Sequence, residues 1–491
     1  MPYAPTAEAP PRIEDKTISP IPAAKRRGSA YDLFTLWFGS NITVLTVGNG
    51  ALATAIYGQP FLLAVLGLVA GNLAGAVLVA LHSAQGPLLG VPQMVQTRAQ
   101  FGLYGALLVM AAVTAMYVGF LAANLAIADQ SFSVIAGHRS TEVVIGLVAA
   151  LSLIASVFGY DLIHSYARVI SYAGGTLLLL TFAWIVAAHH LEANFWQAGR
   201  PGVAGFMGTV TVAALWQVAC APYASDYSRY LNADAAGRPV LRTSYAGCAL
   251  GSIVPMVLGA MIGVQGSDVA GALTTLAHGI AFPAVGMLTI SVATNSAMSV
   301  YSGALSVIAI GQTFFPRWLP RAATRSVLAV VIVAIAAVPV IGGRGDLLVS
   351  YTNFVLLLTY MVVPWAAINL VDFYLIRHGN YDVRQFFLGN GGIYGRFSLV
   401  AAGCYLAGIA IEVPFVNTAI FEGPVATSLR GVDVSWIVCL AVVGPLYYVT
   451  ATRLRLLPVH AHEAVPSPER AWLNIDAQRL YSVHIAAGPA Y

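Results

Sequence analysis

The sequence predicts an all-α polytopic membrane protein with about twelve transmembrane helices, the first and sixth broken. Three observations predict it: the composition, the length of the apolar runs, and the polar residues written into the middle of four of those runs. Of 491 residues, 58% are hydrophobic and 9% charged, with a mean hydropathy of +0.77, whereas a soluble domain carries roughly a quarter of charged residues. Runs of about 20 apolar residues match the roughly 30 Å hydrocarbon layer when helical. In that layer only helices and closed barrels satisfy every backbone group.

Taken in order, the apolar runs begin near Asp32, Phe61, Gln100, Thr141, Val169, Val203, Ser244, Ala281, Ala323, Leu347, Arg396 and Val434. Residues 1–30 are rich in Pro, Ala and charge without an apolar core, so they read as a disordered cytosolic tail and not as a signal peptide. Residues 454–491 read as a second cytosolic tail. Lys25, Arg26, Arg27, Arg98, Arg168, Arg229, Arg238, Arg242, Arg325, Arg377, Arg396 and Arg453 fall on one side of such a chain, against Arg139, Arg200, Arg344 and Arg430 on the other. Cytoplasmic loops retain Lys and Arg, so both termini are expected in the cytoplasm of a multi-pass protein of the cell membrane.

The same reading excludes several classes. A net charge of +4 is explained by that asymmetry and calls for no nucleic-acid partner. Cys220, Cys248, Cys404 and Cys439 lie within apolar runs without metal-ligand spacing and read as packing residues. His189 and His190 have no third ligand nearby. No nucleophile triad, HExxH or phosphate loop appears, so neither an enzyme nor a cofactor is expected.

Polar interruptions carry the functional signal. In "ALWQVACAPYASDYSRYL" (214–231) a Trp-Gln pair precedes Pro222, which removes an N–H and frees a carbonyl one turn earlier. Such a group survives at membrane depth only beside protein or a watery cavity. The first run, "WFGSNITVLTVGNG" (37–50), carries Gly39, Ser40, Asn41, Thr43 and Asn49; the third places Thr114, Tyr117, Leu121 and Asn124 on one stripe; the eighth, "SVATNSAMSVYSG" (291–303), lines up Ser291, Asn295, Ser299 and Ser302 with Thr294 beside them. Each alone reads as interhelical hydrogen bonding; together they mark a midplane cavity. Runs one and six are five apart, as are three and eight, the spacing two inverted five-helix repeats would produce. No Asp, Glu, Lys or His occupies a midplane position, which favours a neutral, planar, polar solute between Trp216 and Tyr117.

Four blocks carry a family likeness: "APYASDYSRYL" (221–231), "GYDLIHSYARV" (159–169), "TRAQFGLYGA" (97–106) and "MVVPWAAINLVDFYLIRHGNYDV" (361–383). From about Tyr31 to Thr452 the chain resembles the purine/cytosine permeases of the nucleobase:cation symporter-1 family. The resemblance implies a ten-helix core of two inverted repeats at 31–376, two trailing helices at 377–453, and alternating-access uptake of a nucleobase or related heterocycle driven by a cation gradient. Allantoin- or hydantoin-type rings are the alternative within the family. Amino-acid or polyamine transport and an intramembrane enzyme are the alternatives outside it. It further implies that Tyr117 takes the stacking position of the third helix and Thr114 its amide position. Trp216 or Gln217 takes the stacking position of the sixth, Asn295 and Ser299 bind the ring from the eighth, and Asn41 joins them from the first.

A sodium site in this family draws on positions matching Gly39, Ile42, Ile290, Ala293 and Thr294, with Ala293 where a hydroxyl is often found. The coupling ion is left open between sodium and a proton. Asp226 and Arg229, at i and i+3, are expected to pair as an inner gate. The expected partners are the solute, the coupling cation and the bilayer, with the chain a monomer or loose oligomer.

Overall fold

The computed structural model describes residues 13, 14, 16–136, 141–187, 195–266, 269–342, 347–418 and 421–454. The C-terminal tail beyond residue 454 and the pair His189 and His190 lie outside them. Helices of eight or more residues are numbered α1 to α16. Among the described residues, eight helical stretches are long and apolar enough to cross a membrane, and four shorter apolar helices accompany them.

The first apolar run folds as two helices. α1 (Ala30–Ser40) opens at Ser29, whose backbone N–H donates to Asp32 Oδ2 at 2.7 Å, and ends where Asn41, Ile42 and Thr43 leave the helix. Thr43 is extended and its hydroxyl accepts the Thr46 N–H at 3.2 Å, capping α2 (Val44–Ala55). A hydroxyl at the cap and an amide at the preceding end let this break sit in an apolar setting.

α3 (Phe61–Ser83) runs on into a turn at Gly86–Leu89 closed by Gly90 at φ +68. α4 (Gln93–Phe101) follows and is buried along its whole length. The sequence placed the third span from Gln100; the structure instead ends α4 at Gly102, with φ +79, and starts the span at α5 (Ala106–Ala136). Arg98 on α4 donates to Gln312 Oε1 (2.9 Å), Phe386 O (2.9 Å), Ala309 O (2.7 Å) and Thr313 Oγ (3.2 Å). Burial lowers its pKa to about 10, which leaves it charged at neutral pH.

α6 (Thr141–Phe158) precedes α7 (Tyr160–Val169), which passes through a π turn at Ile170–Gly174 into α8 (Gly175–Ala187). That span therefore starts nine residues before the expected Val169. α9 (Val203–Val218) stops ahead of Pro222; a turn, a single 3₁₀ turn (Ala221–Tyr223) and the short helix Ala224–Ser228 complete the sixth run. α10 (Arg238–Gly263), α11 (Val269–Ala277), α12 (Ala281–Phe314), α13 (Ala322–Ile341), α14 (Leu347–Val371), α15 (Leu399–Glu412) and α16 (Ser435–Arg453) follow.

Two seams position the site. α2 lies against α10 and α3 against α9, while α5 lies against α12. Small residues set the first seam, as expected where van der Waals packing replaces the hydrophobic effect. A Cβ at Gly50 would collide with the Met256 carbonyl, and one at Gly259 with the Val47 carbonyl.

Residues 13, 14 and 16–29 correct the expectation of a disordered tail. Thr17, Ile18 and Ile21 are buried, and Ile21 N–H donates to Gly90 O at 2.9 Å. Apolar Ile18 and Ile21 supply packing that the Pro- and charge-rich composition concealed.

Because the α2 and α10 backbones touch, Gly259→Leu is expected to lower the thermal unfolding midpoint of the detergent-solubilised protein, through overpacking of about 1–3 kcal/mol. Gly286→Leu, where a Cβ meets nothing within 4 Å, is expected to leave it unchanged. Melting curves of the two variants compare them directly.

Candidate functional site

A narrow cavity, with about 20 Å³ of free space, opens where the two interrupted helices meet α5 and α12. Trp37 and Ser40 reach it from α1, Phe120 from α5, and Trp216, Cys220 and Tyr223 from α9 and the turn after it; Asn295 and Met298 reach it from α12.

The breaks orient one another. Trp216 Nε1–H donates to Asn41 Oδ1 at 2.8 Å, and Asn41 Nδ2–H donates to Trp37 O at 2.8 Å. Asn41 thus closes the end of α1 and fixes the indole of α9 in one gesture. The indole stands edge-on to Phe120, with ring centroids 6.3 Å apart at 88°. On the α12 side, Asn295 Oδ1 accepts from Asn124 Nδ2 at 2.9 Å, and Asn295 Nδ2 donates to Ser40 O at 3.3 Å. The floor is Tyr223, whose hydroxyl shares a 3.1 Å hydrogen bond with Ser299 Oγ. Aromatic faces and amide groups therefore converge on one apolar space, the chemistry of a site for a small flat ring with polar edges.

Of the residues singled out from the sequence, Trp216 and Asn295 line the cavity, and Asn41 and Ser299 stand one hydrogen bond behind it. Three others do not reach it. Tyr117 is fully buried behind Tyr223, centroids 4.5 Å apart. Thr114 spends its hydroxyl on Met110 O at 2.7 Å. Gln217 points the opposite way, its Nε2 donating to Asn72 Oδ1 (2.7 Å) and Cys248 O (3.0 Å). The reason is rotation: one residue along a helix turns a side chain by about 100°, so Trp216 faces the cavity and Gln217 faces α3 and α10. On α5 the stripe was correct but its level was not. The aromatic at the cavity is Phe120, four residues before Asn124, and that i, i+4 pair is the signal that could have found it. Trp37, four residues before Asn41, carries the same signal; Cys220 and Met298 carry none.

The residues proposed for a cation lie on the seam between the α1 break and α12. Ser291 Oγ donates to Ile42 O, and Gly39 O accepts the Ile42 N–H at 3.2 Å. Ala293 and Thr294 are buried on the facing helix, and Ala293 O accepts from Ser152 Oγ at 3.3 Å. The Ile290 side chain is half exposed, so only its carbonyl is available to a cation. Among the described residues no group of three or more His, Cys, Asp or Glu is placed to hold a metal ion.

The expected Asp226–Arg229 pair is not formed. The Asp226 carboxylate accepts the backbone N–H of Gln93 at 2.9 Å, at the first residue of α4, where a helix N-terminus favours negative charge. Arg229 instead folds its Nε onto the Asp226 carbonyl (3.2 Å) and turns its other nitrogens to Thr17 O (2.7 Å) and Tyr301 Oη (3.0 Å). The side chains at i and i+3 are each claimed by a neighbouring element.

Comparison with known proteins places the chain in a family. The profile of the family described as permeases for cytosine/purines, uracil, thiamine and allantoin matches residues 20–439. YxlA of Bacillus subtilis (strain 168), provisionally named a purine-cytosine permease, is 34% identical over 444 residues, 89% of this chain and 96% of YxlA. The purine-cytosine permease FcyB of Emericella nidulans is 24% identical over 451 residues, 86% of this chain and 85% of FcyB. Among solved structures, Mhp1, a nucleobase-cation-symport-1 family transporter in a closed conformation with bromovinylhydantoin bound, is similar. Its TM-score is 0.70 at 17% identity, covering 93% of this chain and 98% of Mhp1.

Since Asn41 holds the indole, Asn41→Ala is expected to free Trp216 and raise the alkylation rate of Cys220 by small maleimides severalfold, the scale of one lost hydrogen bond. Thr114→Val is expected to leave that rate within about twofold, because a hydroxyl bonded back to its own helix contributes little to the cavity.

Proposed function

The chain belongs to the family of permeases for cytosine/purines, uracil, thiamine and allantoin, and on that premise we propose that it imports a purine or cytosine across the cell membrane by alternating access. The observation that carries this reading is the pairing of Trp216 and Phe120 with Asn295 in one cavity: aromatic faces for a planar ring, and an amide that donates and accepts along its edge. The cavity-lining residues include no Asp, Glu, Lys, Arg or His, which fits a neutral base. Transport rather than chemistry follows from the family.

The architecture we assign is twelve spans, a core of two inverted five-helix repeats and two trailing helices, with both termini cytoplasmic. The Asn41–Trp216 bond supports it, because the two breaks meet where corresponding helices of inverted repeats would. For the coupling ion we favour sodium over a proton. Backbone oxygens of Gly39, Ile42, Ile290 and Ala293 with the Thr294 hydroxyl would supply hard ligands, and no carboxylate or imidazole lines the cavity to carry a proton. The protein acts in this reading as a monomer or loose oligomer.

Uptake of radiolabelled adenine, guanine, hypoxanthine and cytosine into cells, with and without a sodium gradient, tests the reading. Saturable uptake of at least one base, reduced when sodium is replaced by choline and insensitive to a protonophore, is expected. Trp216→Ala or Phe120→Ala is expected to raise its KM about tenfold, given the energy of ring contacts, with Tyr117→Phe near the parent. Failure of every base to enter, with allantoin or hydantoins entering instead, moves the substrate to the other rings of the family.

A further inference from the structure

The N-terminal segment carries a buried carboxylate, Glu14, that does not line the cavity. Glu14 Oε2 accepts the backbone N–H of Tyr160 at 2.9 Å, and its Oε1 accepts from the hydroxyls of Tyr301 (2.9 Å) and Tyr230. Arg325 Nη1 lies 3.5 Å from Oε2 and Arg229 Nη2 3.9 Å from Oε1, both guanidiniums without exposure. The backbone repeats the attachment: Arg325 Nη2 donates to Glu14 O (2.9 Å), Arg229 Nη1 to Thr17 O (2.7 Å), and Thr17 Oγ to Pro320 O (3.3 Å). Further along, Arg27 N–H donates to Tyr230 O at 2.6 Å.

These partners stand on both sides of the cavity. Tyr223 and Met298 line it. Six residues beyond Tyr223 is Arg229, at the end of the sixth run, and three residues beyond Met298 is Tyr301, one turn along α12. Arg325 comes from α13 and Tyr160 from the start of α7. One carboxylate therefore ties the end of the sixth run to α12, which faces it across the cavity, and to α13 and the start of α7. Burial by itself lowers the Arg229 pKa, but the neighbouring Tyr230, Tyr301, Glu14 and Asp226 outweigh it and raise it, so the guanidinium stays charged. Two buried guanidiniums share one carboxylate, so both lose that counter-ion together if it leaves, which is the costly way to break a buried pair.

We propose that residues 13, 14 and 16–29 form a strap, latched by Glu14 between Arg229 and Arg325, that keeps the cavity closed on the face carrying those arginines and must unlatch before solute can leave there. The proposal rests on reading that cavity as the transport site. It goes beyond that reading in assigning the closure to the chain's own N-terminal segment. Solute must pass between the helices bearing Tyr223 and Met298, and Glu14 spans their continuations. Opening on that face separates Arg229 from Tyr301 and breaks the latch.

Cys220 gives a readout without any substrate, since it lines the cavity while Cys248, Cys404 and Cys439 are buried. In a C248A/C404A/C439A background, the rate at which a membrane-impermeant maleimide reaches Cys220 from the strap side is measured in vesicles of known orientation. Glu14→Gln keeps the shape and removes the charge; it is expected to raise that rate by roughly tenfold, as a shift in the open population. As a second arm, Thr17→Cys with Pro320→Cys, joined by a short bifunctional thiosulfonate, is expected to suppress strap-side labelling until a reductant restores it. A Glu14→Gln protein that elutes as a single species and labels at the parental rate overturns the proposal, as does a cross-linked protein that labels freely. Neither arm contains a nucleobase, so the result stands apart from the uptake experiment.

Discussion

A helix interrupted inside a membrane leaves backbone groups that lipid cannot satisfy, and the placement of everything around this cavity follows from how those groups are met. At the first break Thr43 caps the helix that follows and Asn41 closes the helix that precedes it. The free end of the Asn41 amide then holds the indole of Trp216 across from the second break. Two irregular segments that would each be unfavourable alone are thereby joined into one polar junction, and the ring-binding wall is built on that junction.

The opposite wall is regular. α5 and α12 are uninterrupted and bring Phe120, Asn124 and Asn295 to the same level through helical periodicity alone. One side of the cavity is thus made of continuous helices and the other of interrupted ones. The N-terminal segment reaches both at a single carboxylate, which accepts from Tyr301 of α12 and lies 3.9 Å from Arg229, just after the sixth run. Arg98, Arg229, Arg325 and the Asp372–Arg377 pair are buried as well, each with multiple partners.

Much of this was legible in the residues. Composition and run length gave the membrane class, and Pro222 with the Asn41–Thr43 stretch marked where the helices stop. Trp216, Asn295 and Asn41 were found because a large aromatic or an amide in an apolar run has few structural uses. What failed was depth and rotation. Tyr117 and Phe120 lie on one stripe three residues apart, and only the level of the break on the neighbouring helix decides which meets the cavity. Asp226 and Arg229 looked like a pair because i, i+3 spacing permits one; α4 and Glu14, distant in sequence, offered each a better partner. The strap was missed because two isoleucines and one glutamate are too few to alter the composition of a polar tail.

The central claim is that Asn41 and Trp216 act as one unit in receiving the ring. A double-mutant cycle on base binding to purified protein, with Asn41→Ala and Trp216→Phe, tests it most directly, since the phenyl ring keeps an aromatic face but has no N–H to donate. The account predicts that each change weakens binding and that the double variant is little worse than either. Losses that simply add, or an Asn41→Ala protein that binds as the parent does, would contradict it.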